Sequence, residues 1–376
     1  MPQQLAMGPT PPDQPTRLLI TSVGSLVGTN LLEALERLGR DRFYVIGTNS
    51  EPEALNNFAC DVVYRVPATA SGEPYRAALR TIGEREQPEL WIPARDHDVL
   101  ELARMAAHAP LPGVALVGSP ATAEIIGDKW LSVGFALEHG LSVAPSADSL
   151  EGALTLATRY GFPLIVKPRC GNGSIGTRLV TDLAQLQRAM AMGHCVAQRM
   201  IAPAPDWSAH LPDTSAGWPL WYSYVDPGQY ASQWMVAPDG TALEIGATLN
   251  TMRCGKPERS ERVVDAALSR TAGDYARALS RAGWRGPLNV QCRRDEDGDF
   301  FMFELAGRFA GGLGGREVLG LAETQTVLAT VFPDRFAHPH APNTDLALTL
   351  KQPQTVGIAR DTLRQFRDHG VWRRSC

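Results

Sequence analysis

Lys167-Pro168-Arg169-Cys170-Gly171-Asn172-Gly173-Ser174-Ile175-Gly176 is the stretch that decides how the chain is read. An apolar run over 162–167 ends on Lys167, a second cation follows at Arg169, and three glycines and a serine occupy 171–176. Glycine lets backbone N–H groups approach phosphate oxygens with no Cβ in the way, and the cations offset phosphate charge. By type the stretch is a phosphate cradle. Its spacing is neither the P-loop, which closes on Lys-Ser/Thr, nor the GxGxxG loop that opens a dinucleotide-binding helix. Taken alone, it also reads as a plain glycine turn.

Upstream of it, short apolar runs alternate with amphipathic stretches. Residues 18–22, 44–48, 62–66, 90–93 and 114–117 read as strands; 30–38, 75–85 and 99–107 read as helices, the first with Leu31, Leu35 and Leu38 on one face. This alternation predicts an α/β unit over 17–118, a mostly parallel sheet covered on both faces. Around the glycine stretch, 119–201 reads as a smaller α+β unit, with helices 122–127, 130–139 and 183–192 and strands 162–167, 178–181 and 195–199. Residues 202–336 read as a further sheet lobe, with strands at 230–236, 243–249, 288–293 and 300–304 around a long helix over 261–282. Within it, 203–227 carry Trp207, Trp218, Trp221, Tyr222 and Tyr224 and read as an insertion or flap. Residues 1–16 read as a flexible tail without the basic and apolar regions of a signal peptide, and 337–376 as a C-terminal extension.

Composition bounds the function. With 36 Lys+Arg against 40 Asp+Glu the net charge is −4, which excludes a nucleic-acid binder held by excess cations. At 44% apolar residues over 376 the chain is globular and too long for one core, so at least two lobes are expected. The six cysteines, none in a CxxC pair, read as reduced thiols of a cytoplasmic protein; Cys170, with no His partner, reads as a packing residue rather than a nucleophile. No apolar stretch reaches the roughly 20 residues that span a bilayer, so no membrane partner is expected.

A second constellation lies downstream. Asn289-Val290-Gln291 is followed by a charged turn, Asp295-Glu296-Asp297-Gly298, and then by Phe303-Glu304-Leu305-Ala306-Gly307-Arg308-Phe309. In two antiparallel strands joined by that turn, Gln291 and Glu304 can face each other. Two oxygen donors so placed suit a hard cation such as Mg²⁺, with phosphates and water completing its shell. Arg308 adds a fork-shaped donor for a phosphoryl group. The bland reading is a solvated hairpin with one buried Glu–Arg pair.

Both constellations in this order, with what lies between them, resemble the ATP-grasp superfamily, and within it the carbamoyl phosphate synthetase large-chain-like branch of carboxylate–amine ligases. The resemblance covers about 18–332. It implies a parallel-sheet pre-ATP-grasp domain followed by a two-lobed ATP-grasp domain, with ATP and Mg²⁺ (or Mn²⁺) as cofactors. Residues 19–28 look like the first strand and glycine loop of the preceding domain, and Ile92-Pro93-Ala94-Arg95-Asp96-His97-Asp98 looks like its IPxxDxE strand end, with Asp98 in place of Glu. Asp128-Lys129 resembles the Asp-Lys whose lysine reaches the nucleotide, and Lys167 the lysine of the nucleotide-binding strand. Arg169, Gly171, Gly173, Ser174 and Gly176 fall in the loop over the β- and γ-phosphates, Gln198 and Met200 at the hinge against adenine, and Gln229 at the ribose-binding position. Gln291 and Glu304 match the metal ligands and Arg308 the phosphate arginine. Arg253 and Lys256 fall where the family places cations near the acyl substrate.

Three positions depart from the family. Where Glu-x-Asn-x-Arg is usual, Ala306 replaces Asn and has no side-chain oxygen, so a water would take that ligand's place and affinity should drop. Arg199 stands where the hinge commonly has an acid, and Gln229 where ribose commonly meets Glu. The resemblance implies an enzyme that activates a carboxylate as an acyl phosphate and joins it to an amine, with small-molecule partners; the sheet lobe and the aromatic insertion offer surface for a homodimer. The alternative is a degenerate module that binds nucleotide without catalysis. A nicotinamide-dependent oxidoreductase is set aside, because 24–28 lack the full dinucleotide fingerprint. His97 reads as a surface or satisfied core group, and Gly311 to Arg316 either as a flexible loop or as a backbone approach to a carboxylate with Arg316 as its charge partner.

Overall fold

The apolar runs after residue 15 become the centre of a parallel sheet in the computed structural model, which describes residues 14–54, 56–171, 173–202, 225–339, 346–351 and 359–374. β1 (Thr16–Ile20), β2 (Phe43–Asn49), β3 (Val62–Arg65), β4 (Leu90–Ile92) and β5 (Val114–Ala115) pair in parallel in the order β3-β2-β1-β4-β5. Parallel neighbours need crossovers, and helices Leu26–Arg37, Glu73–Glu86 and Asp96–His108 supply those that follow β1, β3 and β4. Leu18, Leu19, Ile20, Val45 and Ile46 are accordingly all buried, on both faces of the sheet. Strand order reverses between β1 and β4, which opens a crevice at their carboxyl ends. Asp98 ties that end together by accepting hydrogen bonds from Thr21 Oγ1 (2.7 Å), Thr69 Oγ1 (2.8 Å) and Tyr75 OH (3.0 Å).

Two antiparallel sheets follow. β6 (Ser146–Ala147), β7 (Leu164–Pro168), β8 (Arg178–Val180) and β9 (Cys195–Arg199) form the smaller, in the order β6-β9-β7-β8, with helices Leu150–Tyr160 and Leu183–Met190 packed on Leu164, Val166, Val180 and Ala197. The larger contains β10 (Val225–Val236), β11 (Ala242–Arg253), β12 (Lys256–Val263), β13 (Gly286–Arg294), β14 (Phe300–Ala306) and β15 (Thr349–Leu350), in the order β14-β13-β10-β11-β12-β15. Helix Ala266–Arg281 covers one of its faces, burying Tyr275 and Leu279 among Trp234, Leu288, Val290, Met302 and Leu305. The fold is therefore an α/β parallel sheet followed by two antiparallel sheets.

Several elements differ from expectation. The helix expected over 261–282 starts at Ala266, because Asp265 caps it by accepting from the backbone of Ala267 and Leu268. Residues 256–263 instead form β12, whose charged side chains are tolerated between β11 and the two-residue β15 near the sheet edge. Helix Leu150–Tyr160, capped by Ser149, was not anticipated. The glycine run at 311–316 is not a flexible loop: Leu313–Val318 is a short helix, and Arg316 is wholly buried in an ion pair with Glu323 (2.8 Å). Burial pushes the Glu323 carboxyl up from its ordinary range while Arg316 opposes the shift.

The described part of the expected extension is woven into both large sheets. β15 lies beside β12, and β16 (Val371–Arg373) joins β3 antiparallel. Helix Arg360–His369 precedes β16 and buries Phe366, against which Phe58 packs edge-on, as it does against Trp372. The expected tail over 1–16 lies outside the described residues as far as 13, and the aromatic insertion as far as 224. Among the described residues no helix is long and apolar enough to cross a membrane.

Candidate active site

Strand β7 carries Lys167 to the inner face of the small sheet, where the side chain is buried. Its Nζ donates to Gln198 Oε1 on β9 (2.9 Å) and to the backbone carbonyl of Phe303 on β14 (2.8 Å). One ammonium thus joins the two antiparallel sheets. Burial lowers its pKa from 10.5 to about 8; Lys129 and Arg293 push the same way and Glu304 opposes them. Gln198 is itself oriented by donating from Nε2 to Ser146 Oγ (2.9 Å), and Met200 is buried just beyond it.

Lys129 opens helix Lys129–Glu138. Asp128 caps that helix by accepting from the backbone of Trp130 and Leu131, and also takes the Arg169 guanidinium (2.8 Å). Arg169 is thereby committed to a carboxylate, which raises its pKa. Lys129 Nζ donates to Gly171 O (2.9 Å) and stands 4.0 Å from Glu304 Oε1. The base of the glycine loop and the oxygen-donor strand therefore meet at one lysine. Gly173, Ser174 and Gly176 are exposed on the loop, with φ values of +63°, +57° and +76°; Asn172 lies outside the described residues. The loop rests on the β11–β12 turn: a Cβ built on Gly255 (φ +69°) would lie 2.2 Å from Gly173 O. Cys170 is exposed rather than packed, because it sits at the loop's edge; partial burial, then Asp128, push its thiol up, away from a reactive thiolate.

On the large sheet, β13 and β14 pair in the register Gln291↔Glu304 and Asn289↔Ala306. Residues directly opposite share a face, as do residues two apart along a strand, so all four point the same way. That face is opposite the one packed by helix Ala266–Arg281, whose contacts come from Val290, Cys292 and Leu305. Arg308, just past β14, is buried and reaches back to the first lobe: Nη2 donates to Asp96 Oδ2 (2.7 Å) and Nη1 to Phe309 O (3.0 Å), while Nε is buried without a partner. Gln229 sits half-buried on β10, its Nε2 donating to Asp226 (2.6 Å) and its carbonyl not consumed by that bond. Arg253 and Lys256 are exposed on the β11–β12 turn beside the glycine loop, Arg253 paired with Glu258 (2.8 Å).

The structure thus brings Lys129, Lys167, Gln198, Gln291 and Glu304 around one interlobe space, with the glycine loop at its edge. Sequence reasoning missed three participants. Ser146 orients Gln198, the Phe303 carbonyl accepts from Lys167, and Arg293, held by Asp226, adds positive charge near Lys167. A backbone carbonyl leaves no signal in a sequence; Arg293 lay two residues beyond Gln291 and was legible. Gln291 and Glu304 offer hard oxygen donors with a single carboxylate, and among the described residues no group of three or more His, Cys, Asp or Glu is placed for a metal. This donor set suits a cation that shares its shell with phosphate oxygens and water, such as Mg²⁺, rather than an ion held by thiolates or imidazoles.

One lobe thus sets two lysines and a glycine-rich loop against a pair of oxygen donors on the other. Residues 128–202 match the family described as carbamoyl-phosphate synthase L chain, ATP binding domain, which places that segment in the ATP-grasp superfamily. It is 32% identical over 181 residues to a formate-dependent phosphoribosylglycinamide formyltransferase of Thioalkalivibrio sulfidiphilus, covering 46% of this chain and 42% of that one. Among solved structures it is similar to N5-carboxyaminoimidazole synthetase from Staphylococcus aureus complexed with ADP, with a TM-score of 0.63 and 12% identity over 90% of this chain and 81% of that one. It is also similar to L-amino acid ligase from Bacillus licheniformis, with a TM-score of 0.62 and 18% identity over 86% and 77%. The match spans less than half the length of the first curated relatives, 38% and 42%.

Proposed function

We propose that the protein is an ATP-dependent ligase that activates a carboxylate as an acyl phosphate and joins it to an amine, with an amino-acid-like molecule as substrate. The observation that carries this is the meeting of Lys129 Nζ with Gly171 O at 2.9 Å and with Glu304 Oε1 at 4.0 Å, while Lys167 spans to the Phe303 carbonyl beside it. A triphosphate laid in that space meets cations from the small sheet and oxygen donors from the large one. A substrate carboxylate oxygen attacks the γ-phosphorus and the bond to the ADP oxygen breaks. The amine nitrogen then attacks the acyl carbon, phosphate departs, and the nitrogen loses its proton.

Little covalent work falls on the chain. Lys129 and Lys167 offset charge on the phosphates, the exposed glycine loop covers them and excludes water, and Gln198 and Met200 lie against the base. Arg308 steadies the transferring phosphoryl group, Gln229 meets the ribose, and Arg253 and Lys256 draw the acyl substrate. Mg²⁺, when bound by Gln291, Glu304 and the phosphates, supplies charge neutralisation at the transferring oxygens. The L-amino acid ligase among the similar structures supports the amine as second substrate.

The experiment is a phosphate-release assay with ATP and Mg²⁺ against pooled amino acids, other carboxylic acids and bicarbonate. Turnover that requires both a carboxylic acid and an amine is the expected result; turnover with bicarbonate alone points to a carboxylase, and binding without turnover to a nucleotide-holding module. Lys167→Ala and Glu304→Ala should each abolish turnover with the fold intact.

A further inference from the structure

Ala306 carries no side-chain oxygen, and the same face of the large sheet carries two buried, unpaired amide side chains. On its cleft-side face, Ala231, Gln291 and Glu304 form one row across β10, β13 and β14; Gln233, Asn289 and Ala306 form the next. Asn289 is 3% exposed and its Oδ1 has no hydrogen-bond partner. Beside it Gln233 is wholly buried, with neither amide atom paired. A buried amide oxygen without a donor is unfavourable unless something else takes its lone pairs. Nearby amides are engaged: Asn250 Oδ1 accepts from Ser260, Gln198 Oε1 from Lys167, and Gln229 donates to Asp226.

Position 289 lies directly across the ladder from 306, at a Cβ separation of about 5 Å, and diagonal to Glu304 at about 7–8 Å. Side chains from two such positions reach one ion with oxygen–metal distances of about 2.1 Å. Resting on the function proposed above, we propose that Asn289 supplies through Oδ1 the amide oxygen that Ala306 cannot, so that Gln291, Glu304 and Asn289 together hold the divalent cation accompanying the nucleotide phosphates. The ligand has crossed to the neighbouring strand without leaving the face.

The test reads metal binding rather than turnover. Full-length protein with the β,γ-imido analogue of ATP is titrated with Mn²⁺, free Mn²⁺ is followed by electron paramagnetic resonance, and thermal melting checks the fold. Asn289→Ala should weaken Mn²⁺ binding about tenfold or more, adding Ala306→Asn should restore it, and Asn289→Asp should tighten it. Wild-type binding by Asn289→Ala, with binding lost in Glu304→Gln, overturns this inference and leaves the site standing. Wild-type binding by Glu304→Gln as well overturns the site itself. If Asn289→Ala does not fold, Asn289→Asp decides: unchanged affinity there also overturns the assignment.

Discussion

Replacing Lys167 by methionine keeps most of the side-chain volume and removes a buried charge, and its effect on stability should depend on pH in a way the structure dictates. Burial depresses the lysine from 10.5 to about 8. Below pH 8 both folded and unfolded chains hold the proton, and the folded one bears the whole cost of burying it. Above 10.5 neither holds it and the cost is gone. Between these values the unfolded chain binds more protons, so folding stability rises with pH. The drop from 10.5 to about 8, at about 1.4 kcal/mol per pH unit, makes the full effect about 3 kcal/mol. Between pH 7.5 and 9.5, about 2 kcal/mol of it should be recovered. Urea denaturation of wild type and Lys167→Met at both pH values isolates the lysine together with the charges it feels, Lys129, Arg293 and Glu304, since groups remote from it cancel in the difference. The variant should gain on wild type by about 2 kcal/mol more at pH 7.5 than at 9.5. Parallel stability curves would refute the burial argument.

Three further outcomes are expected. Gly255→Ala sets a Cβ against Gly173 O in a left-handed turn, so stability should fall by about 1–2 kcal/mol and affinity for an ATP analogue severalfold by calorimetry; unchanged affinity speaks against the glycine loop resting there. Asp128→Ala removes a helix cap and frees Arg169, at a cost of about 1–2 kcal/mol by urea melts, whereas Asp128→Asn keeps the cap and should recover most of it. Phe366→Ala empties a fully buried position between helix Arg360–His369 and the first sheet, and should cost about 3–5 kcal/mol in the same assay; a loss under 1 kcal/mol would show that the helix is not part of the cooperative fold.

The parallel sheet could be read in advance because its strands are buried on both faces, which leaves uninterrupted apolar runs such as Leu18 to Ile20. The facing of Gln291 and Glu304 was expected from two antiparallel strands joined by the turn at 295–298, but counting from that turn alone sets Gln291 opposite Phe303, and an irregularity between Gln291 and Cys292 shifts the register by one residue to Glu304. β12 was not, since Lys256 to Val263 carries mostly charged and polar residues and blends into the helix behind it; only the Asp265 cap marks the break. β6 and β15 span two residues each, too few to show a period. Helix Leu313–Val318 was hidden by glycines that ordinarily signal loops. Within the site, the residue types stood in plain view, but their partners did not. Lys167 finds a backbone carbonyl 136 residues away, and Asn289 acquires meaning only beside Ala306.

β16 has a consequence for how the molecule comes into being. Its Arg373 contacts the hydroxyl of Tyr64, 309 residues earlier, and the strand occupies the outer side of β3. A ribosome delivers β1 to β5 long before it delivers residues 371–373, so the first sheet waits through the synthesis of both other sheets with an unpaired margin, open to association with other nascent chains. Of the three sheets, the first to be made is the last to be sealed.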